Sequence, residues 1–322
     1  MLNEHIVFAW GDVYITNYGF FAALSVLLSA VCFYVLNLLC GANARRYVMT
    51  SLLFPTLGAV YVIVRNLSGE TIGGVELAAA QLAAVPVQIV IGAVSAAVMR
   101  ESVARAADGM TVSAALGWAV FSLCDVSGQA TAEFGVYFAI FAFLAVNFYL
   151  QYVGKTTRGG NVCLVGIVML GAAGFVFSGM SDCGIWVLGG VNLVRVFWCA
   201  AAVVSAAVVI IRGVGGKAVL QCAICAAMWL AAICCDMSAN AFVAEHVGII
   251  TGALLLVMCA DVYYCHLAGM RKRSKAAVSK TRRRSSAKGS INSGRDAADD
   301  DYKELLSMYS ERNNPSRGKN QR

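Results

Sequence analysis

The sequence predicts an all-α fold: a polytopic bundle of transmembrane helices with about nine spans, followed by a disordered cytosolic tail. Three observations predict it. First, the 322-residue chain is 59% hydrophobic and only 13% charged, whereas a soluble domain carries about 25% charged residues; its mean hydropathy is +0.71. Second, the apolar residues fall in long unbroken runs, and about 20 such residues at a 1.5 Å rise cross the hydrocarbon layer. Third, the loops between runs alternate between basic and nearly free of positive charge.

The runs lie roughly at 18–40, 48–65, 74–99, 111–130, 133–153, 162–181, 184–212, 218–240 and 245–268. Backbone polar groups in lipid must be bonded internally, which leaves helices or a closed barrel. A barrel needs alternating polar residues; these runs are continuously apolar, so helices are expected. The first run follows an acidic lead with Glu4 and Asp12 and no basic residue. A cleaved leader needs a positive start, so this run is read as a retained span behind a short exoplasmic segment, 1–17. An eight-span alternative demotes the weakest run, 111–130, which contains Asp125, Ser127 and Gln129.

Orientation follows from charge. Arg45 and Arg46, Arg100 and Arg105, Lys155 and Arg158, and Arg212 and Lys217 occupy every second loop, and the tail opens on Arg271-Lys272-Arg273. The opposite loops hold Arg65 alone, at a span edge. Basic loops stay in the cytosol, so the N-terminus is expected outside and the C-terminus inside an integral membrane of the secretory, endosomal or plasma-membrane system. Asn66-Leu67-Ser68 is then a glycosylation sequon on the outer side, close to a span end, where chance occurrence explains it equally well.

The membrane domain, 18–270, carries few ionisable residues, and such residues in lipid are functional hypotheses by default. Arg195 stands about 11 residues into the 184–212 run, near mid-membrane, with Asn192 one turn earlier. Its candidate partners are Asp125, Glu76, Asp236 and Asp261. An ion or substrate pathway is the functional reading; an Arg–Asp pair fixing helix register is the structural one. The 29-residue run also allows a tilt or shift that lifts Arg195 toward the outer interface. Gln81 and Gln88 are seven apart and share a face of the third span, with Pro86 between them; Pro55 kinks the second. Asn147 and Gln151 are four apart and share a face of the fifth. Hydrogen bonding between helices is the expected use of these amides. Gly248-Ile-Ile-Thr-Gly252 favours close helix contact, inside the bundle or with a second chain.

Twelve cysteines lie almost entirely within spans, where thiols act as small apolar groups. Cys222-x-x-Cys225 has no second pair or nearby histidine, so no zinc site is expected. Cys183 alone lies in an outer loop, beside Asp182, and is a candidate for a disulfide with another chain, or with Cys124 or Cys234. Cys40 and Cys265 lie near the cytosolic face, where palmitoylation competes with plain packing. His5, His246 and His266 are split between the two faces. No phosphate-binding glycine loop, nucleophile elbow or H-E-x-x-H is present. No enzymatic activity, cofactor, metal or nucleic-acid partner is expected. Retinal needs a membrane-embedded lysine; Lys155 and Lys217, the only lysines before the tail, are in loops.

At Arg271 the composition changes. Residues 271–322 hold 15 Lys/Arg against 6 Asp/Glu, too polar to bury a core, so disorder is expected. Arg271, Lys272, Arg273, Lys275, Lys280, Arg282, Arg283, Arg284 and Lys288 form a polybasic run. It is a candidate ligand for anionic lipid at about 1 kcal/mol per basic residue, switchable by phosphorylation at Ser274, Ser279, Ser285 or Ser286. A stop-transfer signal is the simpler reading. Beyond it, Asp299-Asp300-Asp301 precede Tyr302-Lys303-Glu304-Leu305. This segment resembles the tyrosine-based sorting signals read by clathrin adaptors, with Tyr302 and Leu305 as the two anchors.

A polytopic body, short loops and a charged tail with Tyr302-Lys303-Glu304-Leu305 are together similar to glycoprotein M of herpesvirus envelopes. The resemblance is of architecture plus that signal. It implies a non-enzymatic structural and trafficking protein of a viral envelope that works with a membrane partner. The chain departs from the family in having nine expected spans rather than eight and no long first outer loop carrying the partner cysteine, a role left to Cys183. The alternative reading is a solute or ion transporter or channel built on Arg195, Asp125, Asp261, Gln81 and Gln88. An internal repeat would favour it, and none is evident between the halves.

Overall fold

The computed structural model describes residues 6–10, 13–41, 93–98, 100–123, 130–153, 159–180, 187–188, 191–214, 217–236 and 246–289. The chain divides into two units, Met1–Arg271 and Lys272–Arg322. Seven long helices carry the described fold: α1 Asn17–Leu39, α2 Val103–Ser122, α3 Ala130–Val153, α4 Asn161–Met180, α5 Leu193–Val214, α6 Ala218–Asp236 and α7 Val247–Gly289. Two short hairpins accompany them: β1 Ile6–Trp10 with β2 Val13–Thr16, and β3 Val187–Leu188 with β4 Val191–Asn192. Both pairs are antiparallel, with Trp10 opposite Val13 and Leu188 opposite Val191.

Four of these helices are long and apolar enough to cross a membrane: Ala130–Val153, Arg195–Val214, Ala218–Cys235 and Val247–Gly269. Ala23–Leu39 and Asn161–Phe177 are shorter apolar helices. The second and third predicted spans lie outside the described residues, apart from a short helix at 93–98.

Three boundaries differ from the sequence expectation. The fourth helix starts at Val103 rather than near 111. Ser102 caps it, its side chain accepting from the Arg105 amide at 3.4 Å, and Ala104, Ala106 and Ala107 favour helix. The run expected at 184–212 becomes a helix only at Leu193, because β3 and β4 occupy its first part. The last helix does not stop at the charge boundary; it runs through the polybasic segment to Gly289. Between Gly269 and Gly289 there is neither glycine nor proline, and Lys, Arg and Ala are good helix formers. Residues 290–322 lie outside the described set, so the disorder expected there is not addressed.

Within the first unit, α2 lies among α1, α3 and α4; α4 packs on α5 and α5 on α6. Thirteen residues of α2 are buried, although it covers part of the weakest predicted run. Many exposed side chains on the helices are apolar: Val219 is 83% exposed, and Ile249 and Leu256 are each 74% exposed. The buried set instead includes Ser25, Ser29, Asn37, Asp108, Thr111, Gln151 and Ser205. Apolar outside with polar inside suits lipid as the solvent, since hydrocarbon neither attracts polar groups nor drives apolar ones inward. The described helices belong to an integral membrane protein.

Close approach is set by small residues. A Cβ on Gly171 would lie 2.8 Å from the Ala202 Cβ and 2.9 Å from the Trp198 carbonyl; one on Gly174 would lie 2.7 Å from the Trp198 indole. Gly213 meets the Cys265 carbonyl, again without room for a side chain. Gly252 of the G-x-x-x-G motif, by contrast, has nothing within 4 Å among the described residues. Gly171→Val forces α4 from α5 against backbone that cannot yield, a loss of about 1–3 kcal/mol. Its melting temperature in detergent should fall by several degrees, while Gly252→Val should leave it unchanged; equal behaviour of the two variants contradicts this packing.

Candidate functional site

The best-defined polar site gathers four helix ends around Asp108. Asp108 is the sixth residue of α2 and has no exposed surface. Its Oδ2 accepts from Gln151 Nε2 at 2.6 Å, Tyr152 Oη at 2.7 Å and the Gly160 amide at 2.8 Å; its Oδ1 accepts from the Cys163 amide at 2.6 Å. Gln151 and Tyr152 stand at the end of α3, and Gly160 and Cys163 at the start of α4. The carboxylate therefore caps a neighbouring helix, at the end where unbonded amides and the helix dipole attract negative charge. Gly160, at φ +88°, turns the chain into α4 through a conformation that side-chain-bearing residues avoid.

Arg105, one turn earlier on α2, does the converse. Its Nη2 donates to the Cys40 carbonyl at 2.8 Å and the Asn37 carbonyl at 3.4 Å, and its Nε donates to Asn37 Oδ1 at 3.3 Å. It thus takes up unbonded carbonyls at the C-terminal end of α1, where positive charge is favoured. Gly41, at φ +71°, closes that helix. The guanidinium also lies 4.8 Å from the centre of the Tyr152 ring, whose hydroxyl holds Asp108. Anion, phenol and cation form one continuous network over α1, α2, α3 and α4.

A second set of polar contacts lies close by. Tyr263 Oη donates to Asn147 Oδ1 at 3.0 Å, and Gln221 Nε2 donates to Asp261 Oδ1 at 2.5 Å. Asn147 and Gln151 do share one face of α3, and both bond to other helices, Asn147 to α7 and Gln151 to α2. Asp261, a candidate partner for Arg195, is held by α6. Gly213 on Cys265 puts the C-terminal end of α5 at this same level. Arg195 is 18 residues earlier, about 27 Å away along the helix.

Arg195 itself does not sit midway along a span. It is the third residue of α5 and the first of the apolar stretch Arg195–Val214. Its guanidinium lies 5.1 Å from the centre of the Phe175 ring, and Phe175 stands edge-on to Trp229 at 5.3 Å. The sequence run looked longer because the hairpin before α5 is itself apolar. Asp125, Gln81, Gln88, Asn66, Cys183, Tyr302 and Leu305 lie outside the described residues. Arg271, Lys272, Arg273, Lys275, Arg282, Arg283 and Arg284 lie on the helical backbone of α7. Ten cysteines are described, all as free thiols. Cys40 and Cys265, considered for palmitoylation, are buried, which favours the packing role.

Asp108 was missed because a charged residue beside Arg100 and Arg105 reads as loop. The available signal was Ser102, a strong N-cap, ahead of an alanine-rich turn. Chemically the arrangement holds rather than reacts. A carboxylate offers about four acceptor positions; here three donors fall on Oδ2 and one on Oδ1. Among the described residues no group of three or more His, Cys, Asp or Glu side chains is placed to hold a metal. Compared with known proteins, the chain matches no family model, no curated protein and no solved structure.

Removing the carboxylate strands four donors. Asp108→Ala should lower stability by about 3–5 kcal/mol, and Tyr152→Phe by about 1–2 kcal/mol, in denaturant titrations of detergent-solubilised protein. Asp108→Asn should fall near the alanine variant, because its amide group turns a donor toward donors. Arg105→Lys keeps the charge but loses the planar fork and the ring contact; it should destabilise while leaving loop accessibility to membrane-impermeant labels unchanged. A Tyr152→Phe loss as large as that of Asp108→Ala would contradict the four-donor account.

Proposed function

We propose that this chain is a non-enzymatic multi-pass membrane protein with a structural and trafficking role, its C-terminal segment lying in the cytosol. The observation that carries the reading is where the bundle spends its polar groups. Asp108, Arg105, Asn37, Gln151, Asn147 and Asp261 are engaged between helices or at helix ends, which builds a scaffold rather than a path for solute. The gathering of Cys40, Arg105 and Gly160 at one end supports the nine-span topology. It brings three of the basic segments of the charge ladder to one side, the side that the positive-inside rule assigns to the cytosol.

On that side the polybasic run faces anionic lipid, and Tyr302 with Leu305 faces the adaptors that sort membrane proteins. A second copy or another membrane protein, reached through Gly248 and Gly252 or through Cys183, completes the interaction role. The secretory and endosomal membranes, or an envelope derived from them, are the corresponding location. The transport alternative draws on Arg195, Asp125, Asp261, Gln81 and Gln88; Arg195 stands in the first turn of α5 and Asp261 is bonded to Gln221, which weakens their part in it.

Tyr302→Ala should shift the steady-state distribution toward the cell surface at least two-fold, read by surface biotinylation, with total protein unchanged. An unaltered distribution ends the trafficking role. Arg195→Ala should leave solute flux in reconstituted vesicles unchanged; a flux given by the native chain and lost in that variant, at unchanged melting temperature, would replace this reading with transport.

A further inference from the structure

We propose that Ser285 and Ser286 form a phosphorylation site for a kinase that selects arginine two and three residues before its acceptor serine. The proposal rests on the cytosolic placement of the C-terminal segment given above. Four serines lie between Arg271 and Gly289: Ser274, Ser279, Ser285 and Ser286. Ser279 has Ala276 and Ala277 before it and offers no such recognition. Ser274 follows Arg271-Lys272-Arg273, and Ser285 follows Arg282-Arg283-Arg284; Ser286 has Arg283 and Arg284 at the same two places. Ser274 differs in having Lys272 where the pair has arginine, a basic residue in either case, so sequence alone separates them only weakly.

The backbone separates them. The helix runs from Val247 to Gly289, which puts Ser274 15 residues before its end and Ser285 and Ser286 within four. A kinase must bind the arginines and bring the hydroxyl to the nucleotide at once. In a helix three residues advance only about 4.5 Å, against about 10 Å in an extended chain, so the segment has to unwind. The last turn of a helix has carbonyls without intrahelical partners and opens most readily, and the glycine at position 289 adds little resistance to unwinding. Unwinding around Ser274 breaks the helix in its interior. Nine Lys/Arg between 271 and 288 keep this stretch in water and within reach of a soluble enzyme.

In the transfer, the serine Oγ attacks the γ-phosphorus of magnesium-bound ATP. The bond from that phosphorus to the β-bridging oxygen breaks, ADP leaves, and the serine proton passes to the kinase's base. Each phosphate adds about −1.5 to −2. Two of them cut the charge of the run by roughly three to four units and weaken its attraction to anionic lipid.

The test uses the full chain in detergent micelles, where both faces are open, with a purified arginine-directed kinase, Mg²⁺ and ATP, and site-resolved mass spectrometry. Ser285 and Ser286 together should gain phosphate at least ten-fold faster than Ser274. Replacing both by alanine should reduce total incorporation ten-fold. Ala276→Pro, which opens the helix near Ser274, should raise labelling there to the rate of the pair. Equal rates at Ser274 and Ser285 in the native chain, or no phosphate on the pair, overturns the proposal. Labelling of intact cells by kinase added outside, without permeabilisation, would instead overturn the cytosolic placement and leave the choice of serine standing.

Discussion

One buried carboxylate fixes the described bundle. Asp108 has no exposed surface, and an uncompensated charge in that position is destabilising by several kcal/mol. It is tolerated because α3 supplies two side-chain donors and α4 two main-chain amides. Each donor belongs to a helix end, so the carboxylate can be satisfied only when α2, α3 and α4 meet at one level. Helix packing in lipid has little hydrophobic drive, and a contact that strands four donors when broken sets register where apolar surfaces alone would slide. Arg105 extends the constraint to α1 through the Asn37 and Cys40 carbonyls at its C-terminal end.

The rest of the architecture follows from what that contact requires. Helix ends that converge this closely need side chains that do not obstruct, and Gly109 lies against Phe33 and Asn37 one residue after Asp108. Further along, Gly166 fits against Thr111 and Leu144, and Gly171 and Gly174 bring α4 onto α5. Away from the polar end the interior turns aromatic: Trp118 stacks on Tyr137 at 6.2 Å and meets Trp198 edge-on at 6.4 Å. These rings add packing without demanding a charge partner. Polar fixation at one end and aromatic packing further along divide the work of holding the bundle.

Much of this was legible in the sequence, and the rest was hidden for physical reasons. Continuous apolar runs placed α1, α3, α6 and the membrane part of α7 to within a few residues, because in lipid hydropathy and helix coincide. Arg195 was misplaced because a hairpin and a helix of equal apolarity look like one run; Gly189-Gly190 was the only mark between them. The polybasic stretch was read as unstructured on charge, although helix propensity in Lys, Arg and Ala does not depend on burial. Asp108 was invisible for a deeper reason. Its partners are main-chain amides and two side chains from 43 to 55 positions away in sequence, and no local pattern announces a carboxylate that caps another helix.

Arg105 shows that the two ways of reading charge in this chain are not alternatives. Under the proposed topology it belongs to the basic ladder, whose charge resists transfer across the bilayer. In the folded chain the same guanidinium closes α1 and rests on Tyr152. A positive group held on one side by insertion arrives where C-terminal helix ends on that side leave carbonyls unbonded. The N-terminal ends on that side, α4 among them, call for the opposite sign, which Asp108 supplies one turn from Arg105. Two residues three apart on α2 thus answer both kinds of helix end, and the charge that the proposed topology uses for orientation is also the charge that joins the helices.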